Sequence, residues 1–257
     1  MLERIDHGEV RELRIDRPPA NALNLELLFA LREAVETAPR DGAPAIVLSG
    51  RRGMFCAGHD VPSLLPMERP AVHAFWTAFF DLLRSIARSP VPIHAAMTGH
   101  SPAGGTVIAL FCDGRIMAEG PWRIGLNEVE VGIALPFLVY AAFRRIVGAR
   151  RAERLAVSGR MLTAAEALDA GLVDELVPID RVVETAIERT RSLLALPREA
   201  MSRTRDVARS DLVALFGDSD SVVLDCVVDK WFSEETQAAL GALVKRIGRS
   251  TSGRPAD

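Results

Sequence analysis

Short apolar runs alternate with helix-period segments over the first two-thirds of this chain, and after about residue 135 the pattern becomes almost wholly helical. That switch constrains the fold more than any other feature. Strand–helix–strand alternation implies a mostly parallel α/β sheet with crossover helices. EVRELRI (9–15) predicts a strand, ended by RPP at 17–19. Asn24 predicts the N-cap of an amphipathic helix over 25–38. AIVLS (45–49) predicts a buried strand, and 93–97 and 115–118 two more. Residues 71–88 predict a long helix with Trp76, Phe79, Phe80, Leu83 and Ile86 facing inward, stopped by Pro90 and Pro92. Further on, LTAAEALDA (162–170) has Thr163 and Glu166 at capping-box spacing, with Gly171 to close it. Helices are expected over 181–196, 199–208, 219–232 and 234–247. A composition shift near Pro197 divides an α/β core, 1–196, from a C-terminal helical region, 197–257, whose last residues, 250–257, read as a frayed end.

Composition excludes several classes of function. With 257 residues, 49% of them hydrophobic and 25% charged, the chain has the balance of a soluble globular enzyme. A net charge of −3 argues against a general nucleic-acid binder. Cys56, Cys112 and Cys226 are odd in number and lack CxxC spacing, which argues against a disulfide framework or a zinc site. A reducing, cytoplasmic setting is therefore expected. MLERIDHGEV carries charges and no apolar core of a signal peptide, and no run reaches the length of a membrane span.

Three segments carry candidate chemistry. In FCAGHDV (55–61), small residues follow a strand and a glycine turn, so backbone N–H groups can face a ligand. Read alone, an ordinary tight loop is the simpler account, and His59 is either a general base or an incidental loop histidine. In SPAGGT (101–106), a glycine pair opens a helical run. The free N–H groups and positive dipole end of such a start can hold an anion, but a purely structural start fits as well. GxxxxGK[ST], GxGxxG and GxSxG are all absent. In IGLNEVEVG (124–132), Glu128 is a carboxylate among apolar neighbours, costly unless partnered or used. Were this segment extended, Glu130 would share its face, and both could equally face solvent.

In this order and spacing the segments resemble the enoyl-CoA hydratase/isomerase (crotonase) superfamily. RPPANALN (17–24), FCAGHDV, the block 99–113, GLNEVEVGI (125–133) and GRMLTAAEALDAGLVDELVP (159–178) all fit, and the likeness covers nearly the whole chain. The resemblance implies a spiral of ββα repeats with a C-terminal helical trimerisation region, and a homotrimer or a hexamer. It implies an acyl-CoA thioester as substrate, coenzyme A being part of that substrate and no separate cofactor being needed. It also implies an oxyanion hole for the thioester enolate, its donors falling on the backbone N–H groups of His59 and Gly104. Ala20, Ala22, Cys56, Ala57, Gly58, Asp60 and Gly105 become candidate contacts for the CoA moiety. Lys245 and Arg246 could meet its phosphates or simply solvate a helix end. The acyl tunnel is expected from segments such as 62–80 and 133–140, with Trp231 and Phe232 lining it or packing in the core. Cys112 and Asp113 are expected to pack and hydrogen-bond rather than react.

The departure from the hydratase pattern is informative. The resemblance places the hydratases' first glutamate at Val107, which cannot carry a proton, and their second at Glu128. One carboxylate suits a reaction that moves a proton without adding water, as in the Δ3,Δ2-enoyl-CoA isomerases. The alternatives are a hydratase-like or otherwise divergent crotonase (a hydrolase or lyase), and a catalytically weak acyl-CoA-binding protein.

Overall fold

The computed structural model describes residues 1–217 and 220–252. In chain order its strands are β1 (Leu2–His7), β2 (Val10–Ile15), β3 (Ala45–Ser49), β4 (Gly53–Met54), β5 (Ile93–Met97), β6 (Gly99–Pro102), β7 (Gly114–Ala118), β8 (Arg123–Gly125), β9 (Leu162–Thr163) and β10 (Glu175–Val177). The helices are α1 (Leu25–Thr37), α2 (Val61–Leu64), α3 (Arg69–Ala87), α4 (Gly104–Leu110), α5 (Phe137–Val147), α6 (Ala149–Ser158), α7 (Ala164–Asp169), α8 (Val182–Leu194), α9 (Arg198–Ala208), α10 (Ser210–Val213), α11 (Asp220–Trp231) and α12 (Glu234–Ser252).

Among the described residues the strands form two sheets, one in the order β1-β2-β3-β5-β7-β10 and a smaller one in the order β4-β6-β8-β9. Every residue of β3, β5 and β7 is buried, as expected of central parallel strands covered on both faces. Each of these three runs on into a strand of the smaller sheet and then into helix: β3 into β4 and α2, β5 into β6 and α4, β7 into β8 and α5. This repetition is the expected ββα spiral, and it brings the turns that follow β4, β6 and β8 side by side.

The capping signals act as read. Asn24 Oδ1 accepts from the Leu27 N–H at 3.0 Å, and Thr163 and Glu166 cap α7 reciprocally. The inward face of α3 is buried as predicted, although the helix begins at Arg69. Six strands escaped the sequence: the four short strands of the smaller sheet, and β1 and β10 of the larger. β1 is an exposed edge strand whose charged residues mask its alternation, and β10 is only three residues long. The expected helix at 219–232 runs over Asp220–Trp231, its first residue, Ser219, lying outside the described residues. The expected fraying is corrected in part: residues 250–252 belong to α12, while 253–257 lie outside the described residues.

The helical region is bolted to the core through Asp113. This carboxylate accepts from Arg205 Nε at 2.7 Å and from the Ile93 N–H at 2.8 Å, and Arg209 Nη1 lies 3.2 Å away. Cys112 beside it is buried, so this pair packs and bonds as expected. Among the described residues no helix is long and apolar enough to cross a membrane.

Candidate active site

The turn after β4 and the start of α4 fit together through missing side chains. Gly58 has φ +82°, and a Cβ there would come within 3.0 Å of the Gly104 nitrogen. A Cβ on Gly105 would collide with the Cys56 carbonyl oxygen. Glycine is therefore required at both positions by close backbone approach. His59 forms a parallel bridge with Leu23, in which the Leu23 N–H donates to the Gly58 carbonyl and the Asp60 N–H to the Leu23 carbonyl. That pattern leaves the His59 N–H without an acceptor among the described residues. The Gly104 N–H, at the first position of α4, is likewise free. Ala103 just before it adopts φ +46° and ψ −121°, a conformation that L residues seldom take. Such strain at a helix start is the kind that gathers at functional sites.

The His59 side chain is packed away among aromatic rings. Its ring stands edge-on to Phe75, Trp76 and Phe79 at centroid distances of 5.0, 4.7 and 4.7 Å. Burial pulls the imidazole down to about 3, so it is neutral in the physiological range. Its backbone N–H, not its buried ring, is the candidate donor.

The sequence passed over Asn21, which knots this region together. It is fully buried at φ +52°. Its Nδ2 donates to the carbonyls of Ile15, Met54 and Phe55 at 2.9, 3.1 and 3.1 Å, and its Oδ1 accepts from the Arg17 N–H at 2.9 Å. Asparagine tolerates a left-handed backbone, and its place between Ala20 and Ala22 was the available signal. The Ala20 carbonyl accepts from the Ala57 N–H at 3.1 Å, tying those two candidate contacts to one another. Asp60 accepts from Arg17 Nη2 at 2.7 Å and caps α2, while the Cys56 sulfur accepts from the Gly58 N–H at 3.4 Å. Gly105 packs against Cys56 and has no open face.

Glu128 reaches the same neighbourhood along β8. Ile124 and Gly125 pair with Ser101 and Pro102 of β6, and the Gly125 carbonyl accepts from the Ala103 N–H at 2.9 Å. The strand that leads to Glu128 is thus stitched to the residues that precede Gly104. One expectation is corrected here. Residues Glu128–Val131 form a 3-10 turn rather than extended chain, so Glu130 is turned out to solvent while Glu128 is buried. Glu128 Oε2 has no hydrogen-bond partner, and burial pushes the carboxyl up to about 7 against the opposing pull of its own backbone N–H. A carboxylate poised near neutrality suits proton transfer at working pH.

A cavity of about 320 Å³ lies beyond both groups. Its wall takes Trp76 from α3, residues 133–137, and Val222, Val223, Cys226, Val227, Lys230 and Trp231 from α11. Trp76 abuts the His59 ring, and the Ile133 N–H donates to the Glu128 carbonyl at 2.9 Å. Of segments 62–80 and 133–140, Trp76 and residues 133–137 line this cavity. The α11 side was invisible in the sequence, apart from Trp231. Phe232 lies outside the wall, under the Arg69 guanidinium at 5.1 Å, and Lys245 and Arg246 sit on α12 away from it.

The family model for enoyl-CoA hydratase/isomerase matches residues 6–213. The chain belongs to this family. It is 34% identical over 203 residues to human mitochondrial enoyl-CoA delta isomerase 1, covering 78% of this chain and 67% of that protein. It is 32% identical over 194 residues to a probable enoyl-CoA hydratase of Mycobacterium avium, covering 75% of each. The crystal structure of human mitochondrial delta3-delta2-enoyl-CoA isomerase matches with a TM-score of 0.92 at 29% identity, over 97% of this chain and 98% of the other. The protein is therefore a crotonase-fold enzyme of the enoyl-CoA hydratase/isomerase family.

Proposed function

We propose that the enzyme converts 3-enoyl-CoA into trans-2-enoyl-CoA, with Glu128 as its single proton carrier. Glu128 takes the proton from C2. Charge then develops on the thioester oxygen, where the N–H groups of His59 and Gly104 stabilise the dienolate. The protonated Glu128 returns the proton at C4. Preorganised donors of this kind cost no reorganisation as the charge forms, and losing one typically costs about 10²–10³ in rate. The acyl chain runs into the apolar cavity past Trp76.

The observation that carries this reading is the solitude of Glu128. It is a buried carboxyl whose Oε2 has no partner, held near neutrality. Among the described residues no carboxylate lines the neighbouring cavity, and Val107, at the place of the hydratases' other glutamate, is buried and apolar. Water activation by two carboxylates has no support from such a site. Homotrimeric or hexameric assembly belongs to the same proposal and is tested by sedimentation velocity.

Absorbance with two substrates tests the reaction. A 3-enoyl-CoA should gain the absorbance of a conjugated enoyl thioester, and crotonyl-CoA should keep it. Rapid loss of absorbance from crotonyl-CoA would mean hydration and would overturn the isomerase reading.

A further inference from the structure

One buried hydroxyl joins the helix that begins at Gly104 to the strand that leads to Glu128. Thr106, the third residue of α4, is fully buried. A helical threonine readily bonds the carbonyl one turn back in its own helix. Thr77 and Thr190 do so, donating to the His73 and Ala186 carbonyls at 2.9 and 2.7 Å. Thr106 instead spends its hydroxyl outside α4. Its Oγ1 donates to the Ser101 carbonyl of β6 and accepts from the Gly125 N–H of β8 at 3.0 Å. The single proton of the hydroxyl goes to Ser101, which leaves the oxygen's lone pairs for Gly125. The Gly125 carbonyl in turn accepts from the Ala103 N–H at 2.9 Å. Gly125 is therefore held on both sides of Gly104, by Ala103 just before it and by Thr106 just beyond it. Glu128 follows in the next turn of chain. The Ala103 bond and the pairing of β6 with β8 are backbone contacts that any sequence could make. The Thr106 bonds need a hydroxyl at this one position.

Resting on the isomerase reading above, we infer that Thr106 is a positioning residue for proton transfer: its hydroxyl fixes the Gly104 donor relative to the root of the turn that carries Glu128. The reaction needs both groups at once. Charge appears on the thioester oxygen as the proton leaves C2, and these two atoms lie a set distance apart in the substrate. If the first turn of α4 slid against β8, a substrate seated on the Gly104 N–H would be out of line with the base. The hydroxyl is spent on protein groups, so it acts only through the residues it holds.

Turnover of a 3-enoyl-CoA, paired with calorimetric binding of a saturated acyl-CoA, tests this on folded protein. Thr106→Val keeps the side-chain shape and removes the hydroxyl. It should lower kcat roughly 10- to 100-fold, the scale of an approximately 1 Å misplacement of a reacting group, with acyl-CoA affinity nearly unchanged. Thr106→Ser puts the hydroxyl back and should recover most of the lost kcat. Thr190→Val removes an equally buried hydroxyl from α8, so it controls for lost stability and should keep the native kcat. If Thr106→Val does not fold, Thr106→Ala set against Thr106→Ser makes the same comparison. Native kcat in a hydroxyl-free variant at position 106 overturns the inference. Equal losses in the valine and serine variants, an equal loss in Thr190→Val, or a loss of affinity in place of kcat would overturn it too. A native enzyme that binds acyl-CoA yet leaves 3-enoyl-CoA unchanged would instead overturn the isomerase reading, and the inference with it.

Discussion

The loop that offers His59 and the turn that offers Glu128 are secured in opposite ways. The loop is over-determined: Asn21 bonds it from below, the Leu23 bridge runs along it, Asp60 pins its exit to Arg17, and the Gly105 backbone closes on Cys56. The turn depends on fewer bonds. It is anchored through β8, through the Ile133 N–H on the Glu128 carbonyl, and through Thr236 of α12, whose hydroxyl donates to the Gly132 carbonyl at 2.6 Å. On the proposed mechanism the charge-stabilising half belongs to the α/β core, while the proton-carrying half is latched by the C-terminal helix α12. Oxyanion donors work only where they are fixed in advance. A base that must serve two carbons of one substrate tolerates, and benefits from, a looser seat.

Breaking each half should give different signatures. Glu128→Gln should cut turnover by about 10³-fold with acyl-CoA affinity nearly unchanged, because the base is lost and the cradle is not; stopped-flow absorbance and calorimetry read the two effects. Gly105→Ala should cost about 10² in kcat, since its Cβ drives the Cys56 loop away from the Gly104 donor. The same variant should lose thermal stability, which Glu128→Gln should not.

The pH dependence isolates the base. With Glu128 at about 7, kcat/KM should fall about tenfold per unit as pH drops below that value, because the reactive form is the carboxylate. Stability should move the other way. A carboxyl whose folded value lies above its ordinary one binds more protons folded than unfolded, so its contribution is present in acid and is lost as pH rises towards 7. Glu128→Gln should therefore gain stability over the native protein at pH 8 relative to pH 5, by roughly 2–3 kcal/mol in urea titrations.

Smaller effects sharpen the contrast. Asn21→Gly keeps the left-handed backbone but strands buried carbonyls, and should cost about 2–3 kcal/mol of stability. Thr236→Val should cost only about 1 kcal/mol, yet lower kcat several-fold at unchanged KM, because the latch orients the base. Equal losses in kcat from these two variants would erase the distinction between the halves.

The sequence revealed those parts whose chemistry is local. Buried parallel strands are continuous apolar runs, and the caps at Asn24 and Thr163 satisfy nearby N–H groups, so both could be read directly. The family's motifs singled out Gly104, His59 and Glu128 as candidates. What stayed hidden depends on distant segments meeting. The edge strand β1 is charged where it faces solvent. Glu128 lies in a turn whose bend separates it from Glu130, and α11 becomes a cavity wall only once α3 is beside it. Asn21 carries four hydrogen bonds that no spacing rule foretells.

Deuterium uptake at C2 of a saturated acyl-CoA in D₂O tests the central claim most directly, since it needs only the base and the oxyanion donors. The native enzyme should incorporate deuterium at C2, and Glu128→Gln should not. Equal rates in the two proteins would contradict the assignment of Glu128 as the proton carrier.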